Sequence, residues 1–180
     1  MPAYAAFLRA INVGGHQVKG PELCAVFEGL GLEEVASFRA SGNVVFNAGR
    51  EPAAKLGGRI EAALRDALGY EVPVFLRSEP ALKAIAASQP FEEEVVEASK
   101  GKLQVSILRE KPGRRTQEDV LALGTETDRL AFGDQELFWL PSGGTQESDL
   151  DQKAIERLVG MTTMRTKGTI DQIVAKFFAR

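Results

Sequence analysis

The chain has 180 residues, of which 44% are hydrophobic and 26% charged, a composition typical of a globular protein with one domain or two small ones. The net charge of -3 excludes a global positive field that would attract nucleic acid or a membrane surface. The single cysteine excludes an internal disulfide framework, and the N-terminus lacks a basic segment before an apolar core, so we expect a cytoplasmic protein with no signal peptide and no membrane segment.

The first 77 residues predict the order strand, helix, strand, turn, strand, helix, strand. The predicted elements are strand 4–8, a helix from Pro21 to Gly31, strands 35–39 and 44–46, a helix from Pro52 to Gly69, and strand 72–76. Pro73 lies within the last of these strands. Because proline cannot donate to a sheet ladder, we expect this strand at the edge of the sheet.

The same order recurs over residues 103–166, where the pair Thr116 and Asp119 indicates a capping box at the start of a helix. We therefore predict an α+β fold of two tandem ferredoxin-like (β-α-β-β-α-β) units with antiparallel sheets, plus a linker helix and a C-terminal helix. The predicted domains are 1–77 for the first unit, 78–102 for a linker helix with an acidic loop, and 103–180 for the second unit with the C-terminal helix.

Four segments carry a family resemblance, and they keep their order along the chain: FLRAINVGG, ASGNVVF, PSG and TTMRTKGTIDQI. Together they resemble the DUF1697 family, a bacterial family of unknown function, and the resemblance covers nearly the whole chain. Members commonly have a glycine where this chain has Ala10. They usually have an asparagine and an aromatic residue where this chain has Thr166 and Lys167. The resemblance implies no activity, so function has to come from the residues.

Two polar loops are predicted to meet at one end of the first sheet, because the first two strands of such a unit run parallel. The residues concerned are Arg9, Asn12, Gly14 and Gly15 after the first strand, and Ser41, Gly42 and Asn43 in the turn between the second and third strands. Consecutive glycines allow backbone N–H groups to form an anion-binding nest. Convergent polar loops indicate a ligand site, and the structural alternative is a loop and a hairpin turn that only hold each other in place.

A third candidate is the basic pair Arg165 and Lys167 before the last helix. The pair could bind an anionic group at the helix N-terminus, and the structural alternative is a solvated strand end. His16 is the only histidine and has no evident carboxylate to orient it, so we expect a solvent-facing side chain. Cys24 lies on an apolar helix face, where burial as a small hydrophobic residue is expected. One histidine and one cysteine make no zinc signature, and we expect no metal and no cofactor.

These features favour a binding module for a small anionic ligand or a protein partner. Nucleic-acid binding is the alternative, since ferredoxin-like sheets can stack bases on aromatic residues such as Tyr4, Phe7 and Phe46. Basic residues are spread out, however, and no RNP1 pattern is present, so we expect nucleic acid not to bind. An enzyme of unrecognised type that uses Arg9, Asn12 and Ser41 is the third hypothesis. No base, nucleophile or metal set supports it.

Overall fold

The computed structural model describes residues 1–12 and 14–179 of the chain, and these form two four-stranded antiparallel sheets and seven helices. The chain divides into two compact units, Met1–Lys83 with Lys176–Arg180 and Ala84–Ala175. The predicted α+β class is therefore confirmed. The domain boundaries at 77 and 102 stay a prediction, and the division observed here falls inside a helix.

The first unit begins with a β-α-β-β-α-β run whose sheet has the strand order β2-β3-β1-β4. Its elements are β1 (Ala3–Leu8), α1 (Gly20–Glu28), β2 (Glu33–Ser37), β3 (Asn43–Asn47), α2 (Ala53–Leu68) and β4 (Val74–Ser78), followed by α3 (Glu79–Ala87). Apolar residues of α1 and α2, among them Phe27 and Ile60, pack against one face of the sheet. This core fixes the sheet end where the β1–α1 loop and the β2–β3 turn emerge.

Strand β4 lies at the edge of its sheet and pairs only with β1, which confirms the predicted edge position. Its predicted bounds were wrong by two residues, because the strand begins at Val74 and Pro73 precedes it. The Pro73 carbonyl accepts a hydrogen bond from the Arg9 N–H at 3.0 Å. Proline has no N–H to donate, and at this position only its carbonyl group takes part in a hydrogen bond beside the strand.

The second unit repeats this arrangement with the strand order β6-β7-β5-β8. Its elements are α4 (Glu93–Ala98), β5 (Gln104–Leu108), α5 (Arg114–Leu121), β6 (Asp128–Phe132), β7 (Glu136–Pro141), α6 (Gln152–Val159), β8 (Thr162–Thr166) and α7 (Lys167–Phe177), the last two residues of which belong to the first unit. Trp139 lies in the core against α5 and α6. The capping box predicted at Thr116 and Asp119 is wrong: α5 begins two residues earlier, after Gly113, which has no side chain to cap it.

Candidate functional site

The β1–α1 loop and the β2–β3 turn meet through the side chain of Asn12. Its amide nitrogen donates to the Ala40 carbonyl at 2.5 Å, and its amide oxygen accepts from the Val18 N–H at 2.8 Å. One side chain therefore closes the loop on itself and ties it to the turn. The predicted meeting of the two loops is confirmed. Val13 belongs to this loop and lies outside the described residues.

The β2–β3 turn is built around Asn43, whose side chain is fully buried. Its amide nitrogen donates to the Phe38 carbonyl at 2.7 Å and to the Ser41 hydroxyl at 2.9 Å. The Gly42 carbonyl in turn accepts from the Leu8 N–H at 2.8 Å, which joins the turn to the end of β1. Asn43 and Ser41 thus hold the turn in shape.

A third contact holds the β1–α1 loop from the side of α2. The Tyr70 hydroxyl donates to the Ile11 carbonyl at 3.2 Å, and the Tyr70 ring stacks on His16 with centroids 3.9 Å apart. Burial raises the pKa of Tyr70, so the phenol stays protonated and remains a donor at neutral pH. His16 is exposed, as expected, and it packs on an aromatic ring that the sequence did not suggest.

A cavity of about 480 Å³ opens where these two loops meet, and we call it the first-unit cavity. The residues that define it are Asn12, Lys19, Gly20, Ser37, Arg39 and Gly42, with Leu23 at its apolar side. Two of its lining residues are cations, and none of the lining residues that the structure describes is an aspartate or a glutamate. The walls are therefore electropositive although the protein as a whole is acidic.

The first turn of α1 contributes to the same wall. The helix begins at Gly20 after Lys19, and no side chain among the described residues caps it. Its first backbone N–H groups carry the positive end of the helix dipole. A Cβ on Gly20 would lie 2.5 Å from the Ser37 hydroxyl oxygen, so glycine allows the helix start to approach β2. Helix and strand together form one side of the first-unit cavity.

Arg39 lines the cavity from a backbone conformation that non-glycine residues rarely adopt. Its φ is 63°, which lies in the left-handed region and costs an L residue about 1–2 kcal/mol. The guanidinium carbon lies 5.4 Å from the centroid of the Phe38 ring, and Phe177 contacts that ring edge-on with centroids 6.0 Å apart. Strain of this kind is concentrated at functional sites, since selection must maintain it against its cost.

Of the nine residues predicted for ligand binding, Asn12 and Gly42 line the first-unit cavity. Gly14 and Gly15 are exposed in the same loop with φ values of 63° and 85°. Both values have the same sign, so this pair does not have the alternating αR–αL geometry of an anion nest. Arg9 is half-buried after β1, and its backbone N–H is the donor to Pro73 described above.

Arg165 and Lys167 lie in the second unit and make other contacts. Arg165 is 8% exposed on β8 and donates to the Thr163 hydroxyl and the Met164 carbonyl, each at 2.8 Å. Burial lowers its pKa to about 10, so it remains charged at neutral pH. Lys167 pairs with Asp171 at 3.0 Å and donates to the Ala86 carbonyl at 2.9 Å. The alternative of a solvated strand end is therefore wrong for Arg165.

The equivalent end of the second sheet is built differently. There the Leu108 N–H donates to the Gln135 carbonyl at 3.0 Å, the counterpart of the bond from Leu8 to Gly42. The connecting loop spans residues 109–113 in place of 9–19, and the turn spans 133–135 in place of 38–42. Lys111 pairs with Asp134 across the gap at 3.1 Å. The cationic side chain here thus meets a carboxylate of the opposite turn.

Sequence reasoning missed Lys19 and Arg39, the two cations of the first-unit cavity. The signal was available, since each directly flanks one of the two loops predicted to meet: Lys19 precedes the helix start and Arg39 precedes the turn. The glycines, the serine and the asparagines that were predicted instead are mainly residues that shape the loops. Cys24 is half-buried, so the burial expected for it is only partial.

The aromatic residues considered for base stacking lie in the core. Phe7 and Phe46 are 0% and 2% exposed, and Tyr4 stacks on Phe46 with centroids 5.9 Å apart beneath the helices. Phe7 and Phe46 therefore offer no open face to a nucleotide, and Tyr4 is half-buried. Within residues 1–12 and 14–179, no group of three or more metal-ligating side chains occurs. No helix in this part of the chain is long and apolar enough to cross a membrane.

Fold and loops together define an α+β protein with two repeated sheet units and a cationic cavity at the end of the first sheet. A family model described as "Protein of unknown function (DUF1697)" matches residues 1–138, and the chain belongs to this family. It also resembles a solved structure, that of the conserved bacterial protein SP0830 from Streptococcus pneumoniae, with 22% identity, a TM-score of 0.71 and 96% of each chain covered. This likeness shows the fold. Among curated proteins no match is found.

Proposed function

We propose that this protein is a binding module for a small anionic ligand, such as a carboxylate or a phosphate ester, which it holds in the first-unit cavity. The observation that carries the proposal is the composition of the walls: Lys19, Arg39 and the uncapped start of α1 face a cavity whose described lining contains no carboxylate. Its volume of about 480 Å³ lies within the range of small-molecule sites.

Preorganisation supports the same function. Asn12, Asn43 and Tyr70 fix both loops through hydrogen bonds to backbone groups, so the loops keep their shape without a ligand. A site that is already ordered loses little conformational entropy on binding. The residues that the sequence singled out then act as the frame, and the flanking cations act as ligand contacts.

We also infer that both units are ferredoxin-like. The repeated β-α-β-β-α-β element order and the strand orders β2-β3-β1-β4 and β6-β7-β5-β8 support this inference. In this topology the β1–α1 loop and the β2–β3 turn necessarily leave the sheet at the same end. The division into 1–77, 78–102 and 103–180 and the cytoplasmic location stay predictions of the sequence.

A protein partner that presents an acidic side chain would offer the same chemistry to Lys19 and Arg39. Titration with small probes separates the two cases, because a small-molecule site binds them in the absence of any partner. The probes are inorganic phosphate, glycerol 3-phosphate and succinate, measured by isothermal titration calorimetry at low and at physiological salt. A fluorescein-labelled RNA oligonucleotide serves in parallel as a test of the nucleic-acid alternative, and we expect it not to bind.

Two variants test the cations, and each has a matched control. Lys19→Gln and Arg39→Asn remove one positive charge each, and asparagine tolerates the left-handed backbone at residue 39. Loss of a charge-assisted hydrogen bond should weaken the best probe about tenfold or more. Lys55→Gln on α2 and Arg50→Asn remove the same charges from exposed positions outside the cavity, and we expect less than a twofold change. Two outcomes would refute the proposal: equal weakening by the control variants, or no binding of any probe to the unaltered protein at 10 mM. That concentration is well above about 1 mM, the usual upper end of the substrate concentrations at which small-molecule sites are half-saturated.

A further inference from the structure

A second cavity, of about 540 Å³, lies entirely within the second unit, and we call it the second-unit cavity. Helix α4 and the two residues after it form one wall, and the open ends of β6 and β7 form the other. The proposed anion site uses none of these residues. The sequence predicted a linker helix with an acidic loop over the range that contains α4.

The wall formed by α4 is fixed to the end of β7. The Ser99 hydroxyl donates to the Pro141 carbonyl at 2.5 Å, and the Gly101 N–H donates to the Ser99 hydroxyl oxygen at 3.1 Å. A Cβ on Gly101 would collide with the carbonyl oxygens of Pro141 and Gly143, so only glycine allows this approach. The cavity is therefore a formed feature of the unit.

Each wall of the second-unit cavity carries one acid and one base. Glu94 and Lys100 belong to the α4 wall, and Glu126 and Arg129 belong to the hairpin wall. None of these four side chains forms an ion pair or a hydrogen bond with another residue in the described part of the chain. The cavity also has an apolar surface, since half-buried Val95 and exposed Ala98 line it.

We propose that the second-unit cavity binds a small zwitterion, namely an α-amino acid or a short peptide with both termini free. Lys100 and Arg129 contact the carboxylate, Glu94 and Glu126 contact the ammonium group, and Val95 and Ala98 pack against the apolar side chain. A simple anion would meet the two glutamates, and a simple cation would meet the two bases. A ligand that carries both charges and an apolar group complements all three features of the walls.

The probe is the dipeptide leucyl-leucine, compared with its N-acetyl form and its C-terminal amide. Binding is detected by saturation-transfer NMR and quantified by calorimetry on the full chain. We expect the free dipeptide to bind and each blocked form to bind about tenfold more weakly, because each loses one charge-assisted contact. The proposal is wrong if no saturation transfer to the free dipeptide is seen at 5 mM, or if all three forms bind with equal affinity. The concentration of 5 mM is chosen because dissociation constants of about 1 mM correspond to weak but measurable binding.

Two double variants assign the charges. Lys100→Gln with Arg129→Gln should abolish the preference for the free carboxylate over the amide and keep the preference for the free ammonium group. Glu94→Gln with Glu126→Gln should do the reverse. Exposed residues outside the cavity give the controls: Arg115→Gln with Lys153→Gln for the bases and Glu97→Gln for the acids. If both double variants leave both preferences unchanged, the dipeptide binds elsewhere and the proposal is wrong.

Discussion

Replacing Gly42 by alanine tests the geometry of the turn that shapes the first-unit cavity. Gly42 has a φ of 84°, which an L side chain rarely adopts. A Cβ built on it would lie 2.6 Å from Ile11 Cγ2 and 3.1 Å from Leu8 Cβ. Ile11 and Leu8 are 2% and 0% exposed, so neither side chain has free space to move into. The variant therefore combines backbone strain with overpacking.

The two contributions can be estimated separately. The left-handed backbone costs an alanine about 1–2 kcal/mol. Forcing an extra methyl group into a packed core costs about 1–3 kcal/mol. We therefore expect Gly42→Ala to lower the free energy of unfolding by about 2–5 kcal/mol, which is a large share of the total stability of a small domain. Urea unfolding followed by far-UV circular dichroism measures this loss as a shift of the midpoint.

Gly31→Ala is the matched control in the same unit. Gly31 has nearly the same φ, 80°, but a Cβ there would meet nothing within 4 Å. Gly31→Ala should therefore lower the free energy of unfolding only by the cost of the left-handed backbone, about 1–2 kcal/mol. The difference between the two variants then measures the close approach of the turn to Ile11 and Leu8. Equal losses for Gly42→Ala and Gly31→Ala would refute the reasoning, because they would show that no close approach exists.

Three further predictions concern single residues. Ala10→Gly should raise the free energy of unfolding by about 0.5–1 kcal/mol in urea titrations, since Ala10 is exposed with a φ of 57°, and the relief of strain exceeds the added entropy of the unfolded chain. Asp128→Ala should lower the free energy of unfolding by about 3 kcal/mol and change the Trp139 emission spectrum. The reason is that the buried carboxylate accepts hydrogen bonds from Trp139 at 2.9 Å and from Ser148 at 2.7 Å. Burial lowers the pKa of Arg165 to about 10, so above that pH the unfolded state binds more protons than the folded state. The free energy of unfolding of the unaltered protein should therefore rise relative to that of Arg165→Met by about 1 kcal/mol between pH 9 and pH 11, while the difference between them stays constant from pH 6 to 9.

The sequence predicted the element order well because periodic apolar residues and strong breakers mark each element. Gly69 lies where the second helix was predicted to end and is the left-handed C-cap of α2, whereas α1 ends at Glu28, before the predicted Gly31. Pro73 predicted an edge strand, and the strand order β2-β3-β1-β4 puts β4 there. The capping box at Thr116 failed because the β5–α5 loop is short, and the helix starts as soon as the chain has turned. In such a short loop, the length of the connection determines where the helix begins, whatever capping residues follow.

The candidate site was predicted in part. Topology alone required the two loops to meet, and the bond from Asn12 to Ala40 shows that they do. Which side chains would line the cavity could not be derived, because polar residues in turns serve the backbone first. Asn12 and Asn43 both spend their amide groups on main-chain partners. The cation at residue 39 also depends on a positive φ that no local sequence rule assigns to arginine.

Ala10 shows how structure changes the meaning of a family difference. By sequence, alanine in place of the common glycine is a conservative change. With φ at 57° the same position carries strain, and glycine is the residue that the backbone favours. The two neighbouring positions of positive φ in the loop are glycines, at residues 14 and 15. The loop geometry is therefore one that glycine-rich relatives form at lower cost.

The two sheet units carry different connections at the equivalent end of the sheet. Both units join the end of their first strand to the following turn by the same hydrogen bond, from Leu8 to Gly42 and from Leu108 to Gln135. In the first unit, a loop over 9–19 and a turn over 38–42 border the first-unit cavity, and each contributes one cation, Lys19 or Arg39, to its lining. In the second unit, both connections are shorter, and a carboxylate of the turn meets the lysine of the loop. The sheet thus fixes where the loops emerge, whereas loop length and the charged residues of each loop determine which side chains meet there.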